Sequence, residues 1–172
     1  MIRLGLLLLA VLATPATAQT LSPTPPAPAA APSRFVFEET VGIGPPESIG
    51  QTPLGHRYRI PITGGVFSGP GLSGHVLPGS ADWQLARADG SVMVDADYMI
   101  ETDDHVQIHV RNVGVLLTNP VDKRAYSWTA PQFEAPMGKY GWLNDAVFVS
   151  QINVIADPAH PAVRVTVYRI GE

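Results

Sequence analysis

The stretch ITGGVFSGPGLSGHVLPGSADWQ, from Ile62 to Gln84, delivers a carboxylate, an indole and a carboxamide at Asp82-Trp83-Gln84 after a run of glycine and proline. An acid held beside a large aromatic is a candidate general base, because partial burial raises a carboxyl pKa toward neutrality. The same residues also read structurally, with Asp82 capping a turn and Trp83 filling a core. A second candidate is Phe133-Glu134 with Tyr140-Gly141-Trp142-Leu143-Asn144, in what reads as the longest irregular part of the chain, between Thr129 and Val147. Rings there would stack on an aromatic or alicyclic ligand while Glu134 and Asn144 orient an oxygen. Tyr98 and Asn112 complete the set, because each interrupts the apolar face of an alternating segment and a buried polar group needs a partner. Arg59, in HRYRI, would pair with Asp82 or a ligand carboxylate if it points inward. These expectations converge on one cavity edged by Trp83, Tyr140 and Trp142 with Asp82 or Glu134 in its wall.

Other chemistries lack their residues. The chain has no cysteine, which excludes thiol catalysis and Cys-ligated zinc. His56, His75, His105, His109 and His160 show no ligand spacing, so no metal is expected. The glycine run opens no helix and is no phosphate loop, and no serine has a nucleophile-elbow context. No pattern calls for a cofactor. The formal net charge of −4, with scattered Lys and Arg, argues against a nucleic-acid partner. Chemistry here would rest on carboxylates, phenols and electrostatics, with a small molecule as partner and a homo-oligomer left open.

The elements that must hold these groups follow from periodicity. SVMVDADYMIET (Ser91 to Thr102) places Val92, Val94, Ala96, Tyr98 and Ile100 on one face and Met93, Asp95, Asp97, Met99 and Glu101 on the other. VQIHVRN (Val106 to Asn112) and VRVTVYRI (Val163 to Ile170) alternate likewise. Further strands are expected at Arg34 to Glu39, His56 to Ile62, Gly65 to Ser68, Ser73 to Leu77, Trp83 to Arg87, Tyr126 to Thr129 and Ala146 to Ile155. Asp89-Gly90 and Thr102-Asp103-Asp104-His105 read as hairpin turns. Short strands, hairpins and no helix-period run imply an all-β fold, and the glycines favour an antiparallel β-barrel over a sandwich, because sharply coiled strands need them.

The N-terminus is separate. MIRLGLLLLAVLATPATAQT has a lone cation, a short apolar run and the small-x-small pattern Ala16-Thr17-Ala18, as in a secretory signal peptide over residues 1–18. The run is too short for a spanning helix, so no stable membrane insertion is expected after cleavage. Residues 19–33, rich in Pro and Ala, read as a linker, and residues 34–172 as one domain in the periplasm or outside the cell.

Taken together, IPITGGVFSGPGLSGHVLPGSADWQ (Ile60 to Gln84), DADYMIETDD (Asp95 to Asp104), VRNVG (Val110 to Gly114), APQFEAP (Ala130 to Pro136) and KYGWLNDAVFV (Lys139 to Val149) resemble the DUF3237, or UPF0311, family from about Phe35 to Tyr168. The resemblance implies a small β-barrel of calycin-like or allene-oxide-cyclase-like kind and no particular reaction. The chain departs from the family pattern at His105, where a glycine commonly follows the paired aspartates, and in a shorter segment between Gly114 and Tyr126. Three roles stay open: a binding barrel for an apolar or aromatic molecule, an isomerase, cyclase or lyase needing no cofactor, and a structural or assembly protein. In the second, Asp82 or Glu134 would move a proton while Tyr98, Asn112, Tyr140 or Asn144 stabilises an oxyanion.

Overall fold

A computed structural model describes residues 30–119 and 121–171. The leader and nearly all of the linker expected from the sequence lie outside the described residues. From Ser33 onward the chain is almost entirely strand: β1 (Ser33–Ile43), β2 (Glu47–Thr52), β3 (Gly55–Gly69), β4 (Leu72–Val76), β5 (Ala81–Ala86), β6 (Val92–Thr102), β7 (Gln107–Thr118), β8 (Ala125–Glu134), β9 (Val147–Ile155) and β10 (Ala162–Ile170). A single 3₁₀ turn, Gly141–Asp145, precedes β9.

The sheet closes on itself. Its order runs β1-β10-β9-β8-β7-β6-β4-β3, and β3 returns to pair antiparallel with β1. β4 and β5 share one place, since β3 pairs with β5 through His56–Pro61 and with β4 through Gly65–Gly69. The result is a closed eight-stranded antiparallel barrel with β2 as an outer flap on β3. Closure leaves few free strand edges.

β3 is one strand where the sequence reads as two, because the glycines in its middle bend it without ending it. A side chain at Gly65 would put its Cβ 2.1 Å from the Thr40 carbonyl oxygen, and one at Gly69 would lie 2.0 Å from that of Val36. The glycines therefore answer to backbone contact between β3 and β1. β8 corrects a second expectation: it continues to Glu134, so Phe133 and Glu134 sit on a strand and the irregular segment is shorter. β2 has no clear counterpart in the sequence reading.

The turn joining β6 to β7 has His105 in the left-handed region, at φ 62°. That backbone conformation costs a non-glycine residue about 1–2 kcal/mol. His105→Gly is accordingly expected to raise stability by about 1 kcal/mol, measured by urea denaturation; an unchanged or lower midpoint would show that the exposed His105–Glu101 contact at 3.4 Å outweighs the strain.

The barrel interior is divided along its length. Phe37, Ile100, Ile108, Phe148 and Val167, all buried, fill one end, where Phe133 packs edge-on against Phe148 at 4.9 Å and against Phe37 at 6.0 Å. Further along the same strands, in the opposite half, Ile43, Val94, Leu116, Val154 and Val163 line a cavity.

Candidate functional site

The cavity has a volume of about 260 Å³ and walls made chiefly of Val, Ile and Leu. Its polar groups are Glu39 from β1, Asp82 and Gln84 from β5, Tyr98 from β6 and Asn112 from β7. Each is there by strand alternation: Glu39 is in phase with buried Phe37 and Val41, and Tyr98 with Val94 and Ile100. Asp82 stands opposite Ala96, which in turn stands opposite Asn112, so β5 and β7, on either side of β6, carry the two side chains on one level of the wall.

Glu39 is only 1% exposed. Its Oε1 accepts a 2.5 Å hydrogen bond from the Tyr98 hydroxyl, and its Oε2 is buried with no partner. Burial raises its pKa from the ordinary 4.5 to about 7, with the Tyr98 hydrogen bond pulling the other way. The phenol of Tyr98 is pushed well above its usual value, first by burial and then by the Glu39 charge, so it stays a donor. Asp82 is differently placed: its Oδ1 accepts the Asp95 backbone N–H at 2.9 Å and its Oδ2 accepts from Gln84 Nε2 at 2.7 Å. Burial raises its pKa too, and those two hydrogen bonds oppose the rise. Asn112 donates to Ser150 Oγ at 3.2 Å, and Ser150 Oγ lies 2.5 Å from Thr129 Oγ1, which fixes the carboxamide from behind.

Asp82, Tyr98 and Asn112 are thus brought together, as the sequence suggests, but the other candidates lie elsewhere. Neighbours on a strand face opposite ways, so Asp82 inside forces Trp83 outside, where it is 43% exposed. Arg59, opposite Trp83 in register, is outside as well and pairs with Glu47 at 2.9 Å instead of with Asp82. Glu134 follows inward Phe133 and its side chain is 87% exposed, 3.7 Å from His109. Tyr140 is buried away from this cavity, and its hydroxyl donates to Asp104 Oδ1 at 2.7 Å. Trp142 packs against Phe148 at the filled end, and Asn144 bonds both the N–H and the carbonyl of Ala135, tying the 3₁₀ turn to the end of β8. The single cavity edged by Trp83, Tyr140 and Trp142 is therefore not formed. Glu39 is the group the sequence reading missed. Its signal is the phase Phe37-x-Glu39-x-Val41, an acid on an apolar face, of the same kind that singled out Tyr98 and Asn112.

Among the described residues no group of His, Cys, Asp and Glu could hold a metal ion. The charged residues lining the cavity are both acids, which disfavours an anionic occupant and suits a neutral one. Within the apolar wall, a protonated Glu39 is a proton donor and an ionised Asp82 a proton acceptor.

Fold and site define a small closed β-barrel with an acid-bearing apolar cavity. The chain belongs to the family described as "Protein of unknown function (DUF3237)", whose match covers residues 32–170. A UPF0311 protein of Rhodopseudomonas palustris is 38% identical over 137 residues, 73% of this chain and 90% of the relative. The crystal structure of a conserved protein from that organism superposes with a TM-score of 0.76 at 35% identity, over 84% of this chain and 99% of the other. A β-barrel-like protein of Acinetobacter baumannii gives a TM-score of 0.72 at 28% identity, over 87% and 99%. The "Hydroalkoxylation enzyme phnH" of Penicillium herquei is 30% identical over 129 residues, 75% of this chain and 76% of that protein.

Proposed function

We propose that this barrel is an acid–base enzyme that moves protons on a small, neutral, largely apolar molecule bearing a hydroxyl group and a C=C bond. The observation that carries the reading is Glu39 Oε2, buried in the cavity wall without a partner while its carboxyl is tuned to about 7. Leaving a buried polar atom unpaired costs about 1–3 kcal/mol. A ligand hydroxyl or a proton-accepting carbon of the substrate would offset that cost by giving the atom something to act on.

Hydroalkoxylation, the activity named for the Penicillium herquei relative, adds an O–H group across a C=C bond. The residues of this cavity can divide that work. Glu39 in its acid form gives its proton to one alkene carbon, and the substrate oxygen bonds to the other. The hydroxyl proton passes to the Asp82 carboxylate, held by Gln84 and the Asp95 N–H. A proton lost by Asp82 to solvent and one regained by Glu39 complete the cycle. Tyr98 holds Glu39 in place, and Asn112 is free to orient the substrate oxygen through its remaining hydrogen-bonding capacity. Run backward, the same steps are an elimination. A shift of the double bond needs only the two proton transfers.

The test follows ring closure of small hydroxyalkenes and alkenyl phenols by proton NMR with the purified protein. Turnover is expected in the wild type and in Glu134→Gln, whose site lies outside the barrel, and not in Glu39→Gln. Tight binding of these compounds with no turnover would overturn the enzymatic reading in favour of plain ligand capture.

A further inference from the structure

The two strands behind Asn112 are joined by a short ladder. β8 and β9 share only the register pairs Trp128↔Gln151 and Thr129↔Ser150. Pro131, two residues on, has no N–H with which to extend the ladder. In the other direction, toward Ala125 on β8 and Ile155 on β9, the ladder does not continue. The space between them is a groove of about 310 Å³, lined among others by Val92, Tyr126, Ser127 and Asn153. Leu116, Ile152 and Val154 belong to both the groove and the wall of the central cavity. The central cavity is therefore bordered at its side by a second, mainly apolar groove that is open to the surface, where Tyr126 and Val154 are exposed.

We infer that the substrate has two parts, a neutral hydroxylated head held at Glu39, Tyr98 and Asn112 and an aliphatic tail that leaves the barrel sideways between β8 and β9 over Leu116, Ile152 and Val154. This rests on the proposed use of the same cavity for the head. Geometry carries it: the central cavity, at about 260 Å³, is at the small end for a ligand site, and the groove that shares Leu116, Ile152 and Val154 with it is mainly apolar. Exposed apolar side chains beside a deep cavity also mark a surface that a ligand covers. The tail would run past Ser127, which faces the groove and brings only a small hydroxyl side chain.

A homologous series of 4-n-alkylphenols tests this, with affinity measured by calorimetry on the full domain, so that the result does not depend on turnover. Affinity is expected to rise about fourfold per methylene and to keep rising after the central cavity is full, because each buried CH₂ contributes at about that rate. Ser127→Trp, which fills the groove, should cancel the gain of the long members and leave phenol and 4-methylphenol unaffected. Short phenols binding with a plateau at short chain length would overturn the lateral tail while leaving the head site intact. Long-chain gains that survive Ser127→Trp would also overturn it, since the tail would then leave by another route. Binding of none of the series would overturn the hydroxylated-head substrate class. If the series binds as expected but the wild type turns over no hydroxyalkene, the enzymatic reading fails and the two-part ligand stands.

Discussion

Glu39→Gln should slow turnover by about two to four orders of magnitude, the usual share of a positioned acid, and should at the same time make the protein more stable above pH 7. The two effects have one cause. The folded carboxyl ionises at about 7 instead of the ordinary 4.5, because its environment disfavours the charge. A raised folded pKa means that stability is fully present below pH 4.5, declines as the pH climbs from there, and reaches its lower plateau above about 7. At 1.36 kcal/mol per pH unit the whole change is about 3 kcal/mol. Glutamine keeps an acceptor for the Tyr98 hydroxyl and cannot ionise, so its advantage over the wild type should be near zero at pH 4 and about 3 kcal/mol at pH 8. Urea denaturation at those two pH values measures it. Wild-type activity that depends on the acid form of Glu39 should fall as the pH passes through about 7. A variant that loses activity but shows the same pH dependence of stability as the wild type would mean that another group carries the titration. A residue that weakens the fold while serving the reaction is the ordinary mark of a functional site.

Gly69→Ala should unfold the barrel or nearly so. The added Cβ would meet the Val36 carbonyl oxygen at 2.0 Å and Phe37 Cα at 2.7 Å, and both are backbone atoms that cannot swing away. The β1–β3 pairing that closes the barrel would have to part there, and Glu39 is in that same pairing, opposite Phe67. Overpacking of this kind costs about 3 kcal/mol or more. The expected result is a thermal midpoint lowered by many degrees, or insoluble protein. A control at Gly71, where a side chain meets nothing within 4 Å but the backbone sits at φ +74°, should suffer only the smaller penalty of that conformation. Equal losses at the two positions would mean that close approach is not what Gly69 provides.

Strand alternation made the barrel legible before any coordinates, and it also marked Tyr98 and Asn112, since each breaks an apolar face that the next strand completes. The same rule read one residue further would have separated Asp82 from Trp83 and raised Glu39 above Glu134. What alternation could not supply is which strands become neighbours. Trp83, Tyr140 and Trp142 come from segments rich in glycine or loop character, and nothing local says that one faces solvent, one is buried at an Asp104 hydrogen bond and one packs at the filled end. The gap between β8 and β9 was hidden for the same reason, because it arises from the register between strands and not from the composition of either.

That gap also decides how the molecule breathes. Most of the circumference is stitched by long ladders, such as the ten register pairs between β6 and β7, whereas β8 and β9 are held by two. Thermal opening of a closed sheet starts where the fewest hydrogen bonds must break together. Among the strand amides, those bordering that seam are expected to exchange with solvent before those of β6 and β7. Because the seam opens beside Asn112 and Ile152, the same small motion that costs the barrel least would also widen the way in and out of its interior.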